Sequence, residues 1–305
     1  MGVWIDTDMG FDDIAAILVV EAGGEAIDGV SLVFGNSELT QVCANAAGAQ
    51  ALFGWRFPIH AGRESAVLGA VETAARILGQ TGIPTAERTL PVVATEFTDD
   101  AFEALCRWLS SEGEHRILAL GPLTNIAALA LARPDLAARI THLTWMGGGL
   151  TRGNHTASAE FNALADPEAL AIVLAAAIPF TMVDLDFCRK VLAYPDDVAA
   201  IRAGGGAAAE TLADLLAGFI DIATSRGRAG MSLYDAVAAF AFTRPDEVEF
   251  REARIEVELA GALTRGRTVV DARPGARFNA RFAAGLDADA ARSAILGALH
   301  QVAAR

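Results

Sequence analysis

Val3-Trp4-Ile5-Asp6-Thr7-Asp8-Met9-Gly10-Phe11-Asp12-Asp13-Ile14-Ala15-Ala16-Ile17-Leu18-Val19-Val20 passes from a short apolar run, through a glycine turn, into a segment of helical character over 14–22. A second apolar run, 27–34, closes in Gly35-Asn36, and Ser37 stands where it can N-cap a helix reaching about residue 53. Residues 57–60 read as a third short strand. Strand, helix, strand, helix in succession predicts a mostly parallel open sheet with helices on both faces, a Rossmann-like α/β core. The alternation lapses over 69–95, where Gly, Pro and Thr leave no period, and then resumes. A helix over 99–110 leads to a strand over 115–120, and the turn Gly121-Pro122-Leu123-Thr124-Asn125 opens a helix over 126–133. A strand over 143–146 runs into Gly147-Gly148-Gly149, Asp166-Pro167 opens a helix over 165–176, and 180–185 is again a strand. Helices are expected over 212–224 and 233–242, a late β-hairpin from 253–260 and 268–271, and a closing helix over 286–302. No linker or repeat divides the chain, so one domain over 1–305 is expected. In such sheets ligands bind at the carboxyl ends of the strands. The polar clusters fall at those ends: Asp6 to Asp13, Gly35-Asn36, Leu120 to Asn125, and Gly147 onward.

Composition removes several classes of function. Of 305 residues 53% are hydrophobic and the mean hydropathy is +0.35, so the chain can bury a large core and is not disordered. The richest apolar run, 169–183, is broken by Pro179 and falls short of a membrane span. The start of the sequence has no basic n-region and meets Asp6 at once, which does not fit a signal peptide, and position 6 does not fit myristoylation. The cytoplasm is the expected compartment. With a net charge of -14 and one lysine, Lys190, the chain lacks the basic stripe that nucleic acid needs. Cys43, Cys106 and Cys188 are too widely spaced for a zinc site or a disulfide framework and read as small core residues.

Asp6, Asp8, Asp12 and Asp13 lie within eight residues. Asp6 and Asp8 share one face of a strand end. Gly10 allows a tight turn, Asp12 is placed to cap the following helix, and Asp13 sits in its first turn. Capping accounts for one or two of these carboxylates. Four crowded together repel unless a cation sits among them, and a cluster without Cys or His offers only oxygen, which selects a hard ion, Ca²⁺ or Mg²⁺. Asp-x-Asp after a first strand also begins the haloacid-dehalogenase-type phosphatases, which use Mg²⁺. Those need a later basic residue and acidic pair, and no Gly-Asp-x-x-x-Asp follows Lys190 here.

The run Asp6-Thr7-Asp8-Met9-Gly10-Phe11-Asp12-Asp13 resembles the N-terminal signature of the inosine/uridine-type nucleoside hydrolases, with Met9 where that family usually has Pro. Gly35-Asn36 is similar to the family's Gly-Asn after the second strand, and Leu120-Gly121-Pro122-Leu123-Thr124-Asn125-Ile126-Ala127 to its central signature. Met146-Gly147-Gly148-Gly149, Gly153-Asn154, Ala159-Glu160-Phe161-Asn162, Asp166-Pro167-Glu168-Ala169 and Tyr234-Asp235 follow in the family's order. The ordered set covers most of the chain. The resemblance implies a Ca²⁺ held by Asp8, Asp13, Asp235 and the carbonyl of Leu120. It implies a water activated by that ion, with Asp8 as its base, and cleavage of the N-glycosidic bond of a ribonucleoside. Asp12, Asn36, Asn154, Glu160, Asn162 and Asp235 would hold the ribose, and Met146 would pack beside it. The bond breaks through a ribose that gains positive charge, which a nest of carboxylates and amide oxygens stabilises. It further implies a role in purine or pyrimidine salvage and a homodimer or homotetramer. A relative that binds the nucleoside or ribose and the metal without turnover is the alternative.

The departures concern the leaving group. Many members carry a His before the late Asp, where this chain has Tyr234, and a second in a His-Gly stretch, where it has Leu78-Gly79. Tyr234 is therefore the candidate to donate a proton to the base or to stack on it. Of the five histidines, His60, His115, His142, His155 and His300, only His155 lies in a motif, and a loop residue is the simpler reading of it. Asn154 after Gly153 also reads as a turn former, and Asp166 as a helix start.

Overall fold

In the computed structural model, which describes residues 2–94 and 97–305, the opening stretch forms strand β1 (Val3–Thr7) and helix α1 (Phe11–Ala22). The chain then alternates through β2 (Ile27–Leu32), α2 (Leu39–Phe53), β3 (Ile59–Ala61), the single turn α3 (Ala75–Leu78), α4 (Ala101–Ser110) and β4 (Arg116–Ala119). It continues with α5 (Thr124–Ala132), α6 (Pro134–Ala137), β5 (His142–Met146), α7 (Phe161–Ala165), α8 (Pro167–Ala175), β6 (Phe180–Val183), α9 (Leu185–Cys188) and β7 (Leu192–Ala193). The last third holds α10 (Pro195–Arg202), α11 (Ala209–Thr224), β8 (Met231–Ser232), α12 (Tyr234–Thr243), β9 (Val248–Val257), β10 (Thr268–Asp271), β11 (Ala280–Leu286) and α13 (Ala288–Ala303).

Nine strands form one sheet in the order β10-β9-β11-β6-β5-β4-β1-β2-β3. From β3 to β11 every pairing is parallel, and β9 alone runs against its neighbours β11 and β10. Alternation along the strands supplies two cores. Val3, Ile5, Val30, Leu118 and Val183 face α1, α11, α12 and α13, while Trp4, Ile117, Leu143, Trp145, Phe180 and Met182 face α4, α5 and α8. Burial on both faces is why these strands are apolar at nearly every position rather than at every second one. The order of connection reverses between β2-β1 and β4, so β1 and β4 flank the switch point at whose carboxyl edge a ligand crevice opens.

Several sequence expectations are corrected. Residues 280–286 are a strand, β11, inserted between β6 and β9, and the closing helix starts at Ala288. The late hairpin is real, but its first strand begins at Val248. Ser37 does not cap α2: Glu38 takes that position, and the buried Ser37 hydroxyl has no partner among the described residues. Asp12 does not cap α1, because Gly10 holds the cap position and its N–H donates to the Asp13 carboxylate at 2.8 Å. The helix expected over 165–176 is α8, which Asp166 caps by accepting the Ala169 N–H, and a short helix not foreseen, α7, precedes it. The irregular excursion after residue 69 contains only α3 among its described residues, and its last residue, Thr95, lies outside them. Cys106 and Cys188 are buried, Cys43 is half-buried, and none is paired. Among the described residues no helix is long and apolar enough to cross a membrane.

Candidate active site

At the switch point the chain leaves β1 directly into Asp8, and the turn to α1 brings Asp12 and Asp13 beside it. Met9, in the middle of that turn, has φ +48 and is fully buried. A proline, held near φ of about -65°, could not adopt this conformation. Asp235 arrives from the first turn of α12. Carboxylate oxygens of Asp12, Asp13 and Asp235 lie within 4.8 Å of one another, and Asp8 abuts Asp13.

The carboxylates are held in fixed orientations. Asn36 gives its backbone N–H to Asp8 at 2.7 Å, and its side-chain amide to Asp8 at 2.9 Å and Asp13 at 3.3 Å. Thr7 donates its hydroxyl to Asp13 as well. Gly35 makes this packing possible, since a Cβ there would stand 2.0 Å from an Asp8 carboxylate oxygen. Burial, then mutual repulsion, pushes the pKa of Asp8, Asp12 and Asp235 up, Asp12 to about 8, and burial raises Asp13. Asp6, by contrast, is a buried brace: it accepts from the Ser31 hydroxyl and from the Asn125 amide at 2.7 Å, and burial pushes its pKa to about 7.

A cavity of about 240 Å³ opens over this nest. Of the residues singled out from the sequence, Asp8, Asp12, Asn36, Leu120, Met146, Asn154, Glu160, Asn162, Tyr234 and Asp235 line it, and Asp13 lies just beneath. Asn162 donates its amide to the carbonyls of Leu120 at 2.8 Å and Met146 at 3.0 Å, which turns its own oxygen free. Asn154 accepts the Phe161 N–H at 2.9 Å across the loop, seven residues on, and lines the cavity. Glu160 caps α7, accepting N–H groups of Asn162, Ala163 and Gly148, and burial pushes its pKa to about 7. Tyr234 is half-buried; burial raises its phenol pKa, with Arg189 and Arg228 opposing, so it stays protonated at neutral pH.

The cavity also takes in residues that sequence reasoning passed over. Leu78, standing at the position of a missing His, joins Ala74, Ile77, Phe161, Phe219 and Ile222 in an apolar wall. His155, read from the sequence as a loop residue, lines it too, with Nε2 2.8 Å from Glu72 and its ring tilted against Phe161. Four arginines, 152, 189, 226 and 228, complete the lining. None carries a motif, and no spacing in the sequence brings them together.

The chain belongs to the inosine-uridine preferring nucleoside hydrolase family, whose profile matches residues 3–293. It is 30% identical over 276 residues to the pyrimidine-specific ribonucleoside hydrolase RihB of Escherichia coli K12, covering 88% of this chain and 86% of that protein. The purine-preferring ribonucleoside hydrolase of Gardnerella vaginalis superposes with a TM-score of 0.90 at 26% identity, over 100% of this chain and 99% of the other. An inosine-uridine preferring nucleoside hydrolase of Bacillus anthracis shares the fold, with a TM-score of 0.76 at 20% identity over 100% of this chain and 99% of that one. The chain is thus a hydrolase of N-glycosidic bonds in ribonucleosides, of a metal-dependent family, and the phosphatase alternative falls.

Proposed function

We propose that the ion is Ca²⁺ and that Asp8 is the base that takes a proton from the attacking water. The observation that carries this reading is the meeting of Asp8, Asp12 and Asp13, from the start of the chain, with Asp235, from α12, in one buried, oxygen-only nest. The donor set fits a hard cation. It is all carboxylate and carbonyl, Asp8, Asp12 and Asp235 are pushed up by burial and by their acidic neighbours, and no Lys or Arg pairs with them among the described residues. Asp8, Asp13, Asp235 and the Leu120 carbonyl would hold the ion, and Asp12, whose carboxylate belongs to the tightest triplet, stands close enough to join them or to take a ribose hydroxyl. When bound, Ca²⁺ supplies charge that orients and polarises the water.

The protein's own groups do the rest. Asn36 fixes both oxygens of Asp8, so that the carboxylate is aimed and need not reorganise as it accepts the proton. Asp12, Asp235 and the free oxygen of Asn162 surround the sugar and stabilise its growing positive charge, with Asn154 and Glu160 at its other edge and Met146 against its face. Tyr234 forms an aromatic wall for the base. The names of the relatives divide between pyrimidine and purine, so both belong in the test. Purified protein should release reducing sugar from uridine or inosine, lose this on chelation, and regain it with Ca²⁺ more fully than with Mg²⁺. Unchanged turnover after complete removal of divalent ions, or recovery with Mg²⁺ alone, overturns the assignment. The cytoplasm and a homodimer or homotetramer remain part of this reading.

A further inference from the structure

Resting on the riboside-hydrolase reading of the same cavity, we infer that Arg152, Arg189, Arg226 and Arg228 select ribosides that carry a fixed negative charge. The four arginines line one cavity, a first pair from the segments after β5 and α9 and a second from the end of α11. Arg189 donates to the carbonyls of Arg152 at 3.5 Å and Gly153 at 3.1 Å, which ties the first pair together beside Asn154. Arg226 and Arg228 flank Gly227 at the end of α11, the helix that gives Phe219 and Ile222 to the apolar wall. Gly227 has φ +75, and the Arg228 N–H reaches back to the Ala223 carbonyl at 3.1 Å. This is a wound helix-end turn that fixes where both side chains start.

These charges are not there to neutralise the acidic floor. None forms an ion pair with Asp8, Asp12, Glu160 or Asp235 among the described residues. Arg189 has one acidic partner, Asp186 at 3.4 Å, outside the cavity lining. Arg152, Arg226 and Arg228 have no side-chain hydrogen bond or ion pair among the described residues, although the chain carries a net charge of -14 and acids are plentiful. A helix end attracts cations, and Arg189 caps α9 while Arg226 and Arg228 follow α11, but Arg152 stands at no helix end, and that attraction does not bring the four side chains to one cavity. Hydrolysis builds positive charge on the ribose, and unpaired cations near it oppose that charge. A neutral nucleoside leaves this opposition in place. A substrate bearing a carboxylate or phosphate removes it and gains charge-assisted hydrogen bonds.

Two sources supply such an anion, a carboxylate on the base and a phosphate on the 5′ carbon. They are separated by comparing uridine with uridine 6-carboxylate and uridine 5′-phosphate on the Ca²⁺-loaded enzyme. One anionic compound should exceed uridine in kcat/KM by about ten-fold or more at low salt, a preference that shrinks as the screening length falls below about 10 Å. The paired change Arg226→Gln with Arg228→Gln, and separately Arg152→Gln with Arg189→Gln, should each shrink that ratio towards one, and the pair with the larger effect marks the anion's seat. Uridine that matches or beats both anions overturns the inference while leaving the hydrolase reading intact. So does an equal loss on uridine and anion, which would make the arginines servants of the leaving group. If none of the three compounds yields sugar, the hydrolase reading fails, and calorimetry decides the inference alone. Tighter binding of an anion than of uridine, lost in the glutamine variants, supports it, and equal binding sinks it.

Discussion

Asp8 is the side chain on which turnover should depend most. Asn36 donates to both of its oxygens, so Asp8→Asn would keep the shape while placing an amide N–H against one of those donors and removing the proton acceptor. Turnover should fall by ~10²–10⁴, the usual loss when a general base is removed. The fold should persist, because the change also takes one repelling charge out of a buried cluster. Calcium content measured on the same preparation separates lost proton transfer from a lost ion. A decline of only a few-fold with full calcium would remove Asp8 from the role of base. The aspartates were legible in the sequence because they crowd within eight residues and because Asp235 sits in a matching motif. The arginines of the cavity were not, since 152, 189, 226 and 228 share no element and no spacing.

At the scale of elements, the hairpin of β9 and β10 does more than close the sheet. Arg267, just before β10, donates to the carbonyls of Leu150 at 2.7 Å, Thr151 at 3.0 Å and Ser158 at 3.2 Å. Thr268 both accepts from and donates to the backbone of Gly149, each at 2.9 Å. Together they pin the loop between β5 and α7, the loop that presents Arg152, Asn154, His155 and Glu160 to the cavity. Arg267→Ala should therefore raise KM by about ten-fold and leave kcat closer to its starting value, since charge-assisted hydrogen bonds contribute about 1.5–3 kcal/mol each at most. An unchanged KM would mean that the loop holds its shape without the hairpin. β1, β4, β5 and β6 were readable because burial on both faces makes them apolar at most positions. β11, Ala280-Arg281-Phe282-Ala283-Ala284-Gly285-Leu286, was not, because its alanines and glycine carry little strand preference. Its order comes from β6 and β9, and the residue pairs Arg281 with Thr181 and Ala280 with Ala253 lie far apart in sequence. Cap positions failed for a related reason: the backbone at Gly10 and Glu38 settles them, and the candidates Asp12 and Ser37 are one or two residues away.

Over the whole molecule, the buried acids link stability to pH and to the ion. Their folded pKa values lie above the ordinary carboxylate range, from 3.8 to about 8 for Asp12 and about 7 for Asp6. Such a group holds its proton more tightly folded than unfolded, so ionising it lowers stability. The loss starts as pH rises past the unfolded value and is complete above the folded one. Metal-free protein should lose Tm between about pH 5 and pH 8, and Ca²⁺ should raise Tm more at the upper end, where the carboxylates are free to bind it. A calcium-induced rise of equal size at both ends would disconnect the acids from the ion. One further consequence lies in the position of β11. The last strand of the chain is an interior strand of the sheet, with β6 on one side and β9 on the other. As the polypeptide leaves the ribosome, every ligand of the acidic nest has emerged while the β6 edge is still open and the hairpin has nothing to pair with. Until residues 280–286 arrive, the nascent chain exposes unpaired strand edges to its neighbours, the condition in which strands join the wrong partner. Pairing across β6, β11 and β9 is therefore complete only once these seven residues have entered between strands made before them.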